Sequence, residues 1–228
     1  MMGKEKKRSG GRKLFMLSGG MLLAVLLVAG LRYGPELYGL LRVSQEVDTI
    51  ARENAQLAGP WPRATDSCFY CHDGPQGHAR TQLYPRLAGQ QEAYLRKQLH
   101  AFASGERNDP TMTPFALSLT DKEFEAMVTN FARMKAQPNT DFHADPARAA
   151  RGAVLATANN CAACHGPQLE GKDAYPRLAG QSYDYLVDQL SNFKTGKRRD
   201  ASGMMPAVVN ALSPGDIEDL AHFLASRQ

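Results

Sequence analysis

The sequence predicts an all-α protein, two tandem helical domains behind a single amino-terminal transmembrane helix. Three observations carry that prediction. A long internal repeat makes the second half of the chain a copy of the first. No stretch shows the period-two alternation of a half-buried strand. An uncharged apolar run stands near the amino terminus. The 228 residues have charged and hydrophobic fractions ordinary for a globular protein. The net charge of +4 does not describe a basic surface, because residues 1–13 hold six Lys or Arg against one Glu and the rest sums to −1. No basic stripe with interleaved aromatics follows, so nucleic acid is excluded as a partner.

After Lys4, Lys6, Lys7, Arg8, Arg12 and Lys13 comes the uncharged segment Leu14–Leu31. Its length approaches the roughly 20 residues a bilayer-crossing helix needs. It exceeds the roughly 7–15 apolar residues of a signal peptide, and no A-x-A cleavage site follows. The basic cluster should stay in the cytoplasm and everything after Arg32 be exported. The expectation is a single-pass protein of the cytoplasmic (inner) membrane, its helix in membrane lipid, its amino terminus cytoplasmic and its domains periplasmic. From Pro35 to about Leu57, Leu40, Val43, Val47 and Ile50 share one helix face, and Gly59-Pro60-Trp61-Pro62 ends the run. This reads as a stalk, or equally as an amphipathic helix packed on the first domain. The expected divisions are 1–33 tail and anchor, 34–58 helical stalk, 59–138 first domain and 139–228 second domain.

The heptapeptide Tyr-Pro-Arg-Leu-Ala-Gly-Gln occurs at Tyr84–Gln90 and at Tyr175–Gln181. Beyond it Tyr94, Leu95, Gln98, Leu99, Phe102, Gly105 and Arg107 match Tyr185, Leu186, Gln189, Leu190, Phe193, Gly196 and Arg198. The apolar members fit one helix face, and the glycine suits the position just past its end. A last helix follows in each half. Thr120 with Glu123, and Ser213 with Asp216, supply a hydroxyl cap and an acidic third residue, and Pro214 suits the first helical position. Phe124, Met127, Val128 and Phe131 form a stripe, as do Ile217, Leu220, Ala221 and Leu224.

All four cysteines lie in two Cys-x-x-Cys-His pentads, Cys68–His72 and Cys161–His165. On a helical turn the two sulfurs project from one side, placed to add to the vinyl groups of one haem, with the adjacent histidine offered to its iron. A thioredoxin-like pair needs a βαβ context that is absent, and zinc pairs stand within about 20 residues of each other, whereas these are 93 apart. The pentads predict two covalently bound c-type haems.

Such an iron needs a second axial ligand, and a thioether there closes it for electron transfer. Outside the anchor only Met112, Met127, Met134, Met204 and Met205 are available, and Met127 and Met134 fall in a helix core. The register that keeps the last-helix stripes aligned selects Met112 and Met205. A rival register, Met112-Thr-Pro114 against Met204-Met-Pro206, selects Met204. A ligating histidine donates its other ring N–H to an acceptor, and the carbonyls of Pro85 and Pro176 are candidates, though a loop turn would account for both prolines. Arg86 and Arg177 suit haem propionates by guanidinium geometry, or stand as solvated surface arginines. His78, His100, His143 and His222 have no repeated partner and read as surface or core residues.

The pentads Cys68-Phe-Tyr-Cys71-His72 and Cys161-Ala-Ala-Cys164-His165, the duplicated heptapeptide, and Tyr94–His100 running on to Gly105 resemble the dihaem cytochrome c₄ family over about Ser67–Gln228. The resemblance implies two class I cytochrome c folds about a pseudo-twofold axis, each haem held by histidine and methionine. Family pattern assigns Met112 and Met205 as thioether ligands and Pro85 and Pro176 as histidine partners. It implies a carrier, not an enzyme, taking electrons from the cytochrome bc complex to a terminal oxidase, often of the cbb₃ type. One departure is the pair Pro60 and Pro62, where the family has a helix before the first pentad. Competing readings are a dihaem subunit of a cbb₃-type oxidase or of a periplasmic dehydrogenase, and a dihaem peroxidase, which the methionine in each half opposes.

Overall fold

The computed structural model describes residues 66–74, 81–200 and 202–228, together with 21, 23, 25–39, 41, 42, 44, 45 and 49. The chain divides into two compact units, residues 1–53 and 54–228. In the first unit the described residues are helical.

No helix among the described residues is long and apolar enough to cross a membrane. The expected transmembrane helix therefore finds no support among those residues, which overturns the expected single-pass placement in the inner membrane with its cytoplasmic amino terminus and lipid partner. The physical reason is visible in the helical stretch itself. Its described uncharged run ends at Leu31, whereas a hydrocarbon core of about 30 Å takes about 20 apolar residues in a row. Arg32, Glu36 and Arg42 then follow within the helix. Residues 14–20, 22 and 24 of the expected span lie outside the described residues, as do the stalk-face residues Leu40, Val43, Val47 and Ile50, the end of the expected stalk, Trp61, the Pro60–Pro62 departure and His78.

The second unit is helical, and among its described residues the only extended pairing is an isolated bridge between Lys172 and Tyr175. Its first half holds a 3₁₀ turn at Asp66–Tyr70, then α1 (Glu92–Ala103), α2 (Met112–Ser118) and α3 (Asp121–Arg133). Its second half holds α4 (Pro146–Ala158), α5 (Ala162–His165), α6 (Tyr183–Thr195), α7 (Met204–Asn210) and α8 (Pro214–Ser226). The repeat becomes a structural one: α1, α2 and α3 match α6, α7 and α8, and α4 has no described counterpart.

Both last helices start in a capping box. The Thr120 and Ser213 hydroxyls accept from the N–H of Glu123 and Asp216, whose carboxylates accept in return from the cap N–H groups. These bonds to Thr120 and Ser213 hold both carboxyls below their ordinary values. A depressed carboxyl stabilises the fold above its unfolded value, roughly pH 4, and that contribution is lost as pH falls through the lower, folded value. Thr120→Ala and Ser213→Ala should therefore each shallow the acid limb of a plot of melting temperature against pH, read below about pH 4.5.

Ile217, Leu220, Ala221 and Leu224 are buried on α8 and pack with Leu186, Leu190 and Phe193 of α6, Ala156 of α4 and Val209 of α7. In the first half the equivalent cluster is Ala88, Leu95, Val128, Phe131 and Met134. The heptapeptide closes each core. Gly89 and Gly180 take φ of +68° and +71°, and their N–H groups donate to the carbonyls of Phe131 and Leu224, each at 2.9 Å. A side chain at Gly89 would meet Ala136 at 2.8 Å, so glycine is required twice over there.

The halves meet through polar contacts that are reciprocal, residue i to j and j to i, as a two-fold relation demands. Arg107 lies over the Phe102 ring, bonds Gln98 of its own half, and donates across to the Tyr185 hydroxyl at 3.2 Å and Gln189 Oε1 at 2.9 Å. Arg198 lies over Phe193, bonds Gln189, and donates back to the Tyr94 hydroxyl at 3.0 Å and Gln98 Oε1 at 2.9 Å. Burial raises the Tyr94 phenol. Burial works the same way on Tyr185, but Arg107 and Arg198 outweigh it and hold that phenol below its usual value. Two guanidinium groups are thus taken out of water against one phenol that gives up its proton more readily. Gln82 and Asn139 exchange side-chain hydrogen bonds beside this cluster, at 3.1 and 2.9 Å.

Candidate functional site

Each pentad forms a single tight turn. The Cys68 carbonyl accepts from the N–H of Cys71 and of His72, and the Cys161 carbonyl from that of His165, so both cysteines of a pair and the histidine belong to one helical turn. All four cysteines are half-buried, and no disulfide joins them. Burial pushes the Cys68 thiol up to about 11 and raises Cys161 as well. That is the reverse of the depressed pKa of a dithiol redox pair, which works as a thiolate. Among the described residues no three His, Cys, Asp or Glu side chains converge to hold a bare metal ion.

His72 and His165 are buried, and each places Nδ1 2.8 Å from a proline carbonyl, Pro85 and Pro176 respectively. With Nδ1–H as donor, Nε2 keeps its lone pair for an iron. Burial lowers both imidazoles from the ordinary histidine value, only partly offset by the carbonyl bond, which keeps them neutral as ligation requires. Tyr84 and Tyr175 stand edge-on to the two rings at centroid distances of 6.2 and 6.1 Å. Paired sulfurs, a neutral imidazole fixed at Nδ1 and a second half built alike fit one haem per pentad.

The two methionine registers are separated by detail. The helices α2 and α7 begin on Met112 and Met204, which levels those two. An aspartate side chain bonded to the main-chain N–H levels Met112 with Met205 instead. The Met112 N–H donates to Asp109 Oδ1 at 2.8 Å and the Met205 N–H to Asp200 Oδ2 at 3.5 Å. Met205 is half-buried against the second core, whereas Met204 is 41 % exposed. Met127 and Met134 are buried in the first core.

Arg86 is buried and directs Nη2 to the carbonyls of Gln137 and Pro138, and Arg177 directs Nε to that of Ala179. Of the unrepeated histidines, His222 accepts from the Asp145 N–H and sits among Phe142 and Tyr183, and His100 lies on Phe124.

The halves differ behind the first histidine. There the N–H groups of Leu87 and Ala88 donate to Asp73 Oδ1 at 2.5 and 3.4 Å. In the second half the equivalent Leu178 and Ala179 donate to the Leu169 carbonyl at 2.8 and 3.0 Å. A fully buried carboxylate has replaced a main-chain acceptor. Burial raises its pKa against the pull of those N–H groups and Arg86. Asp73→Ala should cost about 2–4 kcal/mol in urea unfolding, since two buried donors lose their acceptor, and Asp73→Asn, which keeps Oδ1, should cost much less.

A family model described as cytochrome c matches residues 149–228. The chain is 35% identical over 198 residues to the thiosulfate dehydrogenase electron acceptor of Stutzerimonas stutzeri, covering 82% of this chain and 90% of that protein. It is 35% identical over 173 residues to cytochrome c4 of Thiocapsa roseopersicina, covering 71% of this chain and 88% of that one. The chain belongs to the cytochrome c4-like family of dihaem c-type cytochromes. Its fold matches the crystal structure of reduced recombinant cytochrome c4 from Pseudomonas stutzeri with a TM-score of 0.66 and 28% identity, covering 78% of this chain and 98% of that one. As a cytochrome c4-like protein it carries two covalent c-type haems, at Cys68 with Cys71 and at Cys161 with Cys164, and is an electron-transfer protein rather than an enzyme.

Reasoning from the sequence missed Gln90, Gln181, Asp73 and the Tyr94–Arg107–Tyr185–Arg198 cluster. A signal existed for all but Asp73, since each is a polar residue repeated in register on an otherwise apolar element. Asp73 has Gly166 as its counterpart and left no trace in the repeat.

Proposed function

We propose that this cytochrome is a one-electron shuttle that takes electrons from a dehydrogenase acting on thiosulfate and passes them to a terminal oxidase. The similarity to a thiosulfate dehydrogenase electron acceptor over 90% of that protein's length carries the donor assignment. The competing donor is the cytochrome bc complex, with a cbb₃-type oxidase downstream, the position implied by the family resemblance. In this reading the haem domains run over 59–138 and 139–228.

The axial ligands in this reading are His72 with Met112 and His165 with Met205. Met205 rather than Met204 is supported by its packing and by the Asp200 bond to its N–H. The carbonyls of Pro85 and Pro176 orient the two imidazoles and strengthen them as ligands. Arg86 and Arg177 are the partners of the haem propionates in this reading, since a guanidinium matches carboxylate geometry. Each haem, when bound, supplies one-electron exchange between ferrous and ferric iron. The cysteine pairs would hold it covalently, and His72 with Met112 and His165 with Met205 would ligate the irons, so that little would have to rearrange when an electron arrives.

Stopped-flow mixing of the oxidised dihaem protein decides between the donors. Reduction by a thiosulfate dehydrogenase with its substrate should be at least tenfold faster than by a reduced cytochrome bc complex at equal concentration. The reverse order would remove the dehydrogenase from the account.

A further inference from the structure

Each repeated heptapeptide ends on a glutamine, and both glutamine side chains reach into the opposite half. Gln181 Oε1 accepts from the Arg86 N–H at 2.6 Å while its Nε2 donates to the Arg86 carbonyl at 3.0 Å. Gln90 repeats the arrangement on Arg177, at 2.7 and 3.2 Å. Both glutamines are buried. Each oxygen is pinned from behind, since Gln181 Oε1 also accepts from the Ser182 N–H at 2.8 Å and Gln90 Oε1 from the Gln91 N–H at 3.0 Å. Those are the residues that precede α6 and α1, so the helix of one half fixes an amide oxygen against the other.

The peptide unit gripped in this way is not an arbitrary one. The Arg86 N–H and the Pro85 carbonyl are two ends of one planar amide. That carbonyl is the one 2.8 Å from His72 Nδ1. In the same way the Arg177 N–H and the Pro176 carbonyl form the amide that faces His165. The chain of contacts runs from imidazole to peptide to glutamine, and crosses from one domain into the other at its last step.

Hydrogen bonds in such a chain polarise one another, by perhaps 10–30% per bond. An acceptor on the amide N–H makes the carbonyl at the other end a better acceptor. The histidine Nδ1–H is then drawn more strongly, and Nε2 becomes a stronger donor to a metal. We propose that Gln181 and Gln90 are crossed positioning residues, each setting the basicity and orientation of the axial histidine in the opposite domain. The inference rests on His72 and His165 as the iron ligands. A purely adhesive role for the glutamines makes a different prediction, because loosening the interface would disturb both haems alike.

The test uses the dihaem protein with Gln181→Met, which keeps the length of the side chain and removes both hydrogen bonds. The readouts are the Nδ1–H resonances of His72 and His165 in the ferrous protein and the two midpoint potentials. Exchange of the His72 Nδ1–H with solvent should quicken at least tenfold and the potential of the haem at Cys68 should rise. His165 and the haem at Cys161 should stay as they were. Gln90→Met should give the mirror image. Gln181→Glu, which keeps an acceptor oxygen, should return the His72 resonance toward its native position. If the methionine variant does not fold, the glutamate variant serves alone: it loses the Nε2–H donor to the Arg86 carbonyl and gains a charge, and whatever displacement from the native spectrum remains should be confined to His72. Equal changes at both haems, changes only in the mutated domain, or none at either would overturn the proposal. Two covalent haems by pyridine haemochrome, with both Nδ1–H signals present, keep the ligand assignment standing whichever way the glutamines fall.

Discussion

Met205→Leu should leave the second iron open to carbon monoxide at neutral pH, while Met204→Leu should leave it closed. The two residues are neighbours, so the pair is its own control for disturbance of α7. Met205 packs against the second core and Met204 is 41 % exposed. Leucine conserves volume at either place, so only the thioether is removed. A methionine opposite a histidine raises a haem potential. Its loss should lower the second potential by on the order of 0.1 V, within the ~0.8 V range that axial ligands span. Carbon monoxide titration of the ferrous variants, read by absorbance, checks the first effect, and a spectroelectrochemical titration the second. If Met204→Leu is the variant that opens, the helix-start register was the correct one.

Gly152→Ala should cost the second domain about 2–3 kcal/mol. Gly152 stands in α4 where that helix crosses α8, and a Cβ there would meet the Asp219 carbonyl oxygen at 2.1 Å, its carbon at 2.7 Å and the Phe223 Cβ at 2.8 Å. The obstacle is the main chain of α8, which cannot rotate aside, so the helices must part. Overpacking typically costs about 1–3 kcal/mol and sometimes more, against a helix-propensity gain of about 1 kcal/mol for alanine. A domain of this size should then melt roughly 10–20 °C lower. Gly215→Ala is the control: its nearest neighbour is Ser213 Oγ at 3.8 Å, so that variant should melt within a few degrees of the parent. Calorimetry on the dihaem protein measures both, and equal melting of the two variants would dismiss the close crossing as a source of stability.

The helices were legible because their signals are local. The stripe Ile217, Leu220, Ala221 and Leu224 is buried, and Thr120 and Ser213 cap the helices they precede. Glu123 and Asp216 each complete a capping box. The pentads were legible because their chemistry demands fixed spacing. Gln90 and Gln181 were visible as repeated letters but not as contacts, since a side chain that crosses between halves depends on how the halves dock. Asp73 was invisible for a related reason. It does by side chain what Leu169 does by carbonyl, and only hydrogen bonds reveal the equivalence. The amino-terminal span was less legible, because an uncharged run does not say where its helix ends: the described helix carries on through Arg32 and Glu36, and no helix among the described residues is long and apolar enough to cross a membrane.

The crossed arginine–tyrosine contacts also limit how this chain can be divided. Arg107 finds acceptors on Tyr185 and Gln189, and Arg198 finds them on Tyr94 and Gln98. A severed half would present a guanidinium, a phenol and an amide shaped for a twin no longer there. A chimera made by swapping one half would need both sides of that seam to travel together.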